Sequence, residues 1–176
     1  MVRWSNGWCV AEGRALVLGL GNLSRQDDGF GWYAVNRVRA LLGQPPLDDT
    51  DDGMDRLGQV VDTAFLPQVS SDLADLVAQY ERLVLVDARI GGEMQVSWFA
   101  VEPLAQDQPR LLTHDMLPAE LLAVSRALYG HAPRTYVVTV PGLSFDFGMG
   151  LSNEMATLVD AAGRLCLLLA RGKLPA

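Results

Sequence analysis

Cysteine is scarce. Cys9 and Cys166 are the only two in 176 residues, and their separation fits neither a metal-binding nor a redox spacing. They read as buried or incidental thiols, which sets aside a disulfide scaffold. Positive charge is also in short supply: 14 Lys and Arg stand against 21 Asp and Glu, for a net charge of −7. A phosphate-backbone partner is therefore not expected. Long apolar runs are missing at both ends. The stretch from Met1 to Trp8 lacks the apolar core of a signal peptide. The C-terminal apolar segment is broken by Asp160, Arg164 and Arg171, unlike a membrane span. No repeat, low-complexity tract or domain linker is visible. These absences lead to the expectation of one cytoplasmic domain over 1–176, a monomer, with no membrane and no nucleic acid as partner.

What the chain does have is apolar residue in quantity, 49%, enough for one packed core. After a polar lead-in over 1–14, Ala15-Leu16-Val17-Leu18 reads as a buried parallel strand over about 15–20. It runs into Gly19-Leu20-Gly21-Asn22 and Asp27-Asp28-Gly29-Phe30-Gly31. Phe30, Ala34, Val35, Val38, Leu41 and Leu42 then recur at helical spacing, which predicts a helix over about 28–42. The run within 43–57 is proline-started and acidic and reads as a solvated insert loop; it lacks the closing glutamate of a calcium loop.

Further strands are predicted at Gln59–Thr63, Leu83–Val86 ending in Asp87-Ala88, Met94–Ala100 as a sheet edge, and Tyr136–Val140. Helices are predicted after Ser70-Ser71-Asp72, from Thr113-His114-Asp115 to Gly130, and after a capping Ser152. Strands alternating with helices predict a three-layer α/β/α sandwich on a mostly parallel sheet of about five strands.

Asp28 lies beyond the first strand, Asp87 at the end of the third, and His114 at a helix start. In such a fold those places share one rim, where ligands of open α/β sheets bind. Two carboxylates and an imidazole, without thiolate, suit zinc, nickel or manganese with positions left open. Plainer readings stand beside this one. Asp27 and Asp28 could cap the first helix, Asp87 could be a turn former, and His114 a helix-start residue. Gly19-x-Gly21 resembles the opening of a dinucleotide fingerprint, but Ser24 holds the third glycine position, and two acids would face the pyrophosphate. Gly142-Leu143-Ser144-Phe145-Asp146 lacks the final glycine of a serine elbow.

In order and spacing these motifs resemble the nickel-iron hydrogenase maturation endopeptidases. The match comprises Gly19-Leu20-Gly21-Asn22 with Asp27-Asp28-Gly29, Val86-Asp87-Ala88 before Gly91-Gly92, Thr113-His114 before Leu121-Leu122, and Gly150-Leu151-Ser152. The resemblance covers residues 15 to about 170. It implies a protease that removes the C-terminal peptide of a hydrogenase large-subunit precursor after nickel insertion, with Asp28, Asp87 and His114 as catalytic, metal-contacting residues. The nickel is then supplied by the substrate large subunit, and zinc or cadmium could substitute in a crystal. A non-catalytic nickel or large-subunit chaperone is the alternative. Asp27 and Asp115 are candidate bases by adjacency only. Gly21 and Asn22 are expected to shape the turn, and Gly91 and Gly92 to admit substrate backbone.

Overall fold

The structure, a computed structural model, describes residues 2–5, 8–11, 13–104 and 116–175. In chain order the strands are β1 (Val2–Ser5), β2 (Trp8–Ala11), β3 (Ala15–Leu20), β4 (Val61–Leu66), β5 (Arg82–Ile90), β6 (Ser97–Val101) and β7 (Arg134–Gly142). The helices are α1 (Phe30–Leu41), α2 (Ala74–Val77), α3 (Pro118–Tyr129) and α4 (Asn153–Ala170). Five strands form one sheet in the order β4-β3-β5-β7-β6. All pairings in it are parallel except that of the edge strand β6 with β7.

Each strand face buries a different side-chain set, as the period of two requires. Ala15 and Val17 of β3, Val84 and Val86 of β5, and Val138 and Val140 of β7 share a core with Phe30, Val35, Met155 and Cys166 from α1 and α4. Leu16 and Leu18 of β3 and Leu83 and Leu85 of β5 turn the other way, onto Ala74, Val77 and Leu121 from α2 and α3. The fold is thus α/β, with helices on both sides of a mostly parallel five-stranded sheet. Among the described residues no helix is long and apolar enough to cross a membrane.

Several boundaries differ from the sequence expectation. The lead-in contains an antiparallel pair, with Val2 opposite Ala11 and Ser5 opposite Trp8; β-branched and aromatic residues flank an Asn6-Gly7 pair, a strong hairpin signal. A 3-10 turn at Gln26–Gly29 precedes α1, so the acids lie in that turn and the α-helix starts at Phe30. The helix expected after Ser70 is a 3-10 turn and a single α turn. The third helix starts at Pro118, with Gly130 closing it at φ +69 as expected; Thr113, His114 and Asp115 lie outside the described residues. Asp87 does not terminate its strand, because β5 continues beside β7 to Ile90.

The acidic insert is exposed at Asp48 and Asp49 but not throughout, since Leu47 is buried. The Leu47 N–H donates to Asn36 Oδ1, and its carbonyl accepts from Asn36 Nδ2. Buried Arg39 donates to the Pro45 carbonyl and to Thr63 Oγ1, tying the insert to α1 and β4. Asp48, Asp51 and Asp52 each accept the N–H two residues on, the local turn bonding that favours Asp in loops.

Candidate active site

The connection from β3 leaves toward β4, while that from β5 leaves toward β6 and β7 on the other side. The crevice between the carboxyl ends of β3 and β5 is therefore the topological switch point, where open α/β sheets bind ligands. The pairing of the two strands ends at Gly19 opposite Val86. The next residue of β5 is Asp87. The chain leaving β3 returns as the turn that carries Asp28. Both acids line a cleft of ≈ 260 Å³ with Leu20, Gly21, Leu85, Val137 and, from the other connections, Pro67, Gln68, Val69, Met116 and Pro118.

Two glycines make this approach possible. Gly21 adopts φ +126, and a Cβ there would stand 1.8 Å from the Asp28 carbonyl oxygen. Gly31 brings the first turn of α1 against the sheet: a Cβ would meet the Leu20 carbonyl oxygen at 2.4 Å and that of Val86 at 2.9 Å. The start of α1 thus rests directly on the backbones of β3 and β5.

Asp28 and Asp87 are both partly buried. The Asp87 carboxyl is pushed up to about 6 by burial in the cleft, with the Asp28 charge adding to it and the Ala88 N–H partly offsetting it. The side chains of Asp27 and Asp28 do not cap the turn at Gln26–Gly29 or α1, and the Asp28 carboxylate has no hydrogen-bond partner among the described residues. An unpartnered carboxylate beside a second one is a chemically suitable place for a cation, which would relieve their repulsion. Among the described residues no three His, Cys, Asp or Glu side chains form a metal-binding group. The third expected ligand, His114, lies outside the described residues. His131 bonds the Tyr80 carbonyl, before the start of β5 and so at the opposite end of the sheet.

Asp27 has a different task, which adjacency to Asp28 concealed in the sequence. Its side chain is fully buried. Oδ1 accepts the Ser152 N–H at 2.7 Å; Oδ2 accepts the Leu143 and Ser144 N–H groups at 2.8 and 3.0 Å and the Ser152 hydroxyl at 2.9 Å. Burial alone would raise this carboxyl, but the Ser152, Leu143 and Ser144 N–H donors and the Ser152 hydroxyl outweigh it and hold the group below its ordinary value. Ser152 occupies the N-cap position of α4, yet its hydroxyl serves Asp27 and makes no capping bond. A negative charge is thereby held at the start of α4, where the helix dipole favours it. Fully buried and already accepting four hydrogen bonds, Asp27 is poorly placed to act as a base.

No protein-family model matches the sequence, and no curated protein matches it significantly. Solved structures do match. The E. coli hydrogenase maturating endopeptidase HybD superposes with a TM-score of 0.61 at 23% identity, covering 90% of this chain and 94% of that one. The NiFe hydrogenase maturation protease HycI of Thermococcus kodakarensis gives a TM-score of 0.59 at 19% identity, with 90% of each chain covered. A hydrogenase 2 maturation peptidase from a Thaumarchaeota archaeon gives 0.57 at 25% identity, covering 90% of this chain and 98% of its own. The resemblance carried by the sequence motifs is thus matched in three dimensions, and the chain has the fold of the hydrogenase maturation proteases.

Proposed function

We propose that the protein is a single-domain endopeptidase that removes the C-terminal peptide of a nickel-iron hydrogenase large-subunit precursor once nickel has been inserted. One observation carries this reading: Asp28 and Asp87, from two strand ends at the switch point, line one cleft in a fold shared with proteins described as hydrogenase maturation proteases. Nickel enters as part of the substrate. Asp28 and Asp87 supply oxygen donors toward it, and His114, two positions before the cleft residue Met116, supplies the nitrogen donor.

A divalent ion so held polarises the scissile carbonyl or acidifies a bound water. The residues do the rest. The two carboxylates repel each other without a cation, so a cation-bearing substrate gains affinity that a cation-free one lacks. Leu20, Leu85 and Val137 line the cleft with apolar side chains and limit water around the acids, which strengthens their electrostatic action.

The test mixes the protein with nickel-loaded and nickel-free large-subunit precursors and follows loss of the C-terminal extension by mass spectrometry. Cleavage confined to the loaded precursor is the expected result. Cleavage of neither, across precursors from different hydrogenase classes, refutes the function, and equal cleavage of both refutes nickel-dependent recognition.

A further inference from the structure

The turn that presents Asp28 is shaped by a segment from the far end of the chain. Gln26 adopts φ +48, the left-handed region that a residue with a side chain enters only when its surroundings hold it there. The holding groups are visible. Gln26 N donates to the Gly148 carbonyl at 2.9 Å, and Gly148 N donates back to the Ser24 carbonyl at 2.9 Å. Asp27 N donates to the Ser144 carbonyl at 3.1 Å, and the Arg25 guanidinium gives two N–H groups to the Phe145 carbonyl, each at 3.1 Å. At the centre, the buried Asp27 carboxylate gathers the Leu143, Ser144 and Ser152 N–H groups and the Ser152 hydroxyl. Among the described residues Asp28 itself is fixed through its backbone alone, whose N–H donates to the Arg25 carbonyl at 3.1 Å.

We propose that Asp27 is a positioning residue of the cleft: its buried carboxylate latches segment 143–152 onto turn 25–28 and so sets where Asp28 stands relative to Asp87. The catalytic consequence rests on the protease reading above; the structural consequence does not. Without the latch, the donors of segment 143–152 turn to water, Gln26 relaxes from its left-handed conformation, and the Asp28 carboxylate loses its fixed place at the cleft.

The experiment compares Asp27→Ala and Asp27→Asn with Thr135→Val in the full chain. Thr135 is buried at the amino end of β7, away from the rim, and its hydroxyl donates to the Pro133 carbonyl. On nickel-loaded precursor, Asp27→Ala is expected to lower kcat about 100-fold while KM moves about twofold or less, the signature of a misplaced group. Asp27→Asn retains one acceptor oxygen and should recover part of that kcat. Thr135→Val should lower stability and leave kcat unchanged. A folded Asp27→Ala protein with wild-type kcat overturns the proposal, as does an equal kcat loss in Thr135→Val. If Asp27→Ala does not fold, Asp27→Asn against Thr135→Val makes the same comparison.

Amide hydrogen exchange reads the latch without reference to activity. In Asp27→Asn or Asp27→Ala, protection is expected to fall at Leu143, Ser144 and Ser152 and also at Gln26, Asp27 and Asp28. Retained protection at residues 26–28 overturns the proposal. Should the wild-type protein cleave no precursor, the protease reading fails and the exchange result alone decides the latch.

Discussion

Replacing Asp87 by Asn should stabilise the protein, and the effect should depend on pH in a defined direction. The folded protein raises the Asp87 carboxyl from 3.8 to about 6, chiefly by burial and in part through the Asp28 charge. A group whose folded value is raised favours the native state most when protonated. Its contribution is therefore fully present below pH 3.8 and is lost as pH rises through about 6. Above that, ionised Asp87 burdens the native state by about 3 kcal/mol, since each pKa unit is worth about 1.4 kcal/mol. Asp87 is only partly buried, so a measured value of about 2 kcal/mol is reasonable. Asn cannot ionise and escapes this burden. Urea unfolding of both proteins from pH 3.5 to 8 should show a stability difference near its minimum at the acid end, rising between about pH 4 and 6 and flat above about 7. Taking the difference cancels the titration of other carboxylates. A difference independent of pH, or a variant less stable than wild type at pH 8, would refute the burial and repulsion assigned to this cleft. The same variant should not process precursor, because Asn offers a neutral donor set.

Asp28→Asn should abolish processing while changing stability by less than about 0.5 kcal/mol, because that carboxylate has no hydrogen bond to lose among the described residues; NMR titration should show the Asp87 carboxyl moving down as its neighbour's charge is removed. His114→Ala should abolish processing of nickel-loaded precursor, scored by mass spectrometry. Asp27→Ala should cost about 3–5 kcal/mol in urea unfolding at pH 7, since several buried donors lose a charged acceptor. Because the Asp27 carboxyl is held below its usual value, its contribution is present above pH 3.8 and is lost as pH falls through the lowered value. Gly31→Ala should lower stability by about 3 kcal/mol or more, because the new methyl meets backbone of β3 and β5 that cannot yield; circular dichroism melting provides the check.

The parts of the site legible in the sequence were those encoded locally. An apolar run, a glycine turn and a helix stripe place Asp28, and a second apolar run places Asp87; the rule that ligands of open α/β sheets bind at the carboxyl ends of the strands then puts them on one rim. Sequence spacing did not reveal Asp27. Adjacent acids before a helix look like caps, whereas the Asp27 carboxylate instead bonds residues near the last helix, and Ser152 gives up its capping bond to it. The insert reads as solvated because its aspartates dominate the composition, but buried Leu47, bonded to Asn36, and the Arg39 bond to the Pro45 carbonyl dock it. Helix α2 is a single turn, Ala74–Val77, because the chain tightens after it: the Gln79 and Tyr80 N–H groups donate to the Leu76 and Val77 carbonyls three residues back.

The bonds to Asp27 join residues separated by 116 to 125 positions. A ribosome delivers the turn at 25–28 long before it delivers Ser152, and β7, which lies between β5 and β6 in the sheet, is also made late. Contacts of such separation form last, since the closure of the intervening chain must come first. Between the making of Asp87 and that of Ser152 the nascent protein thus carries both cleft acids without the frame that aligns them, and the frame closes only once α4 begins.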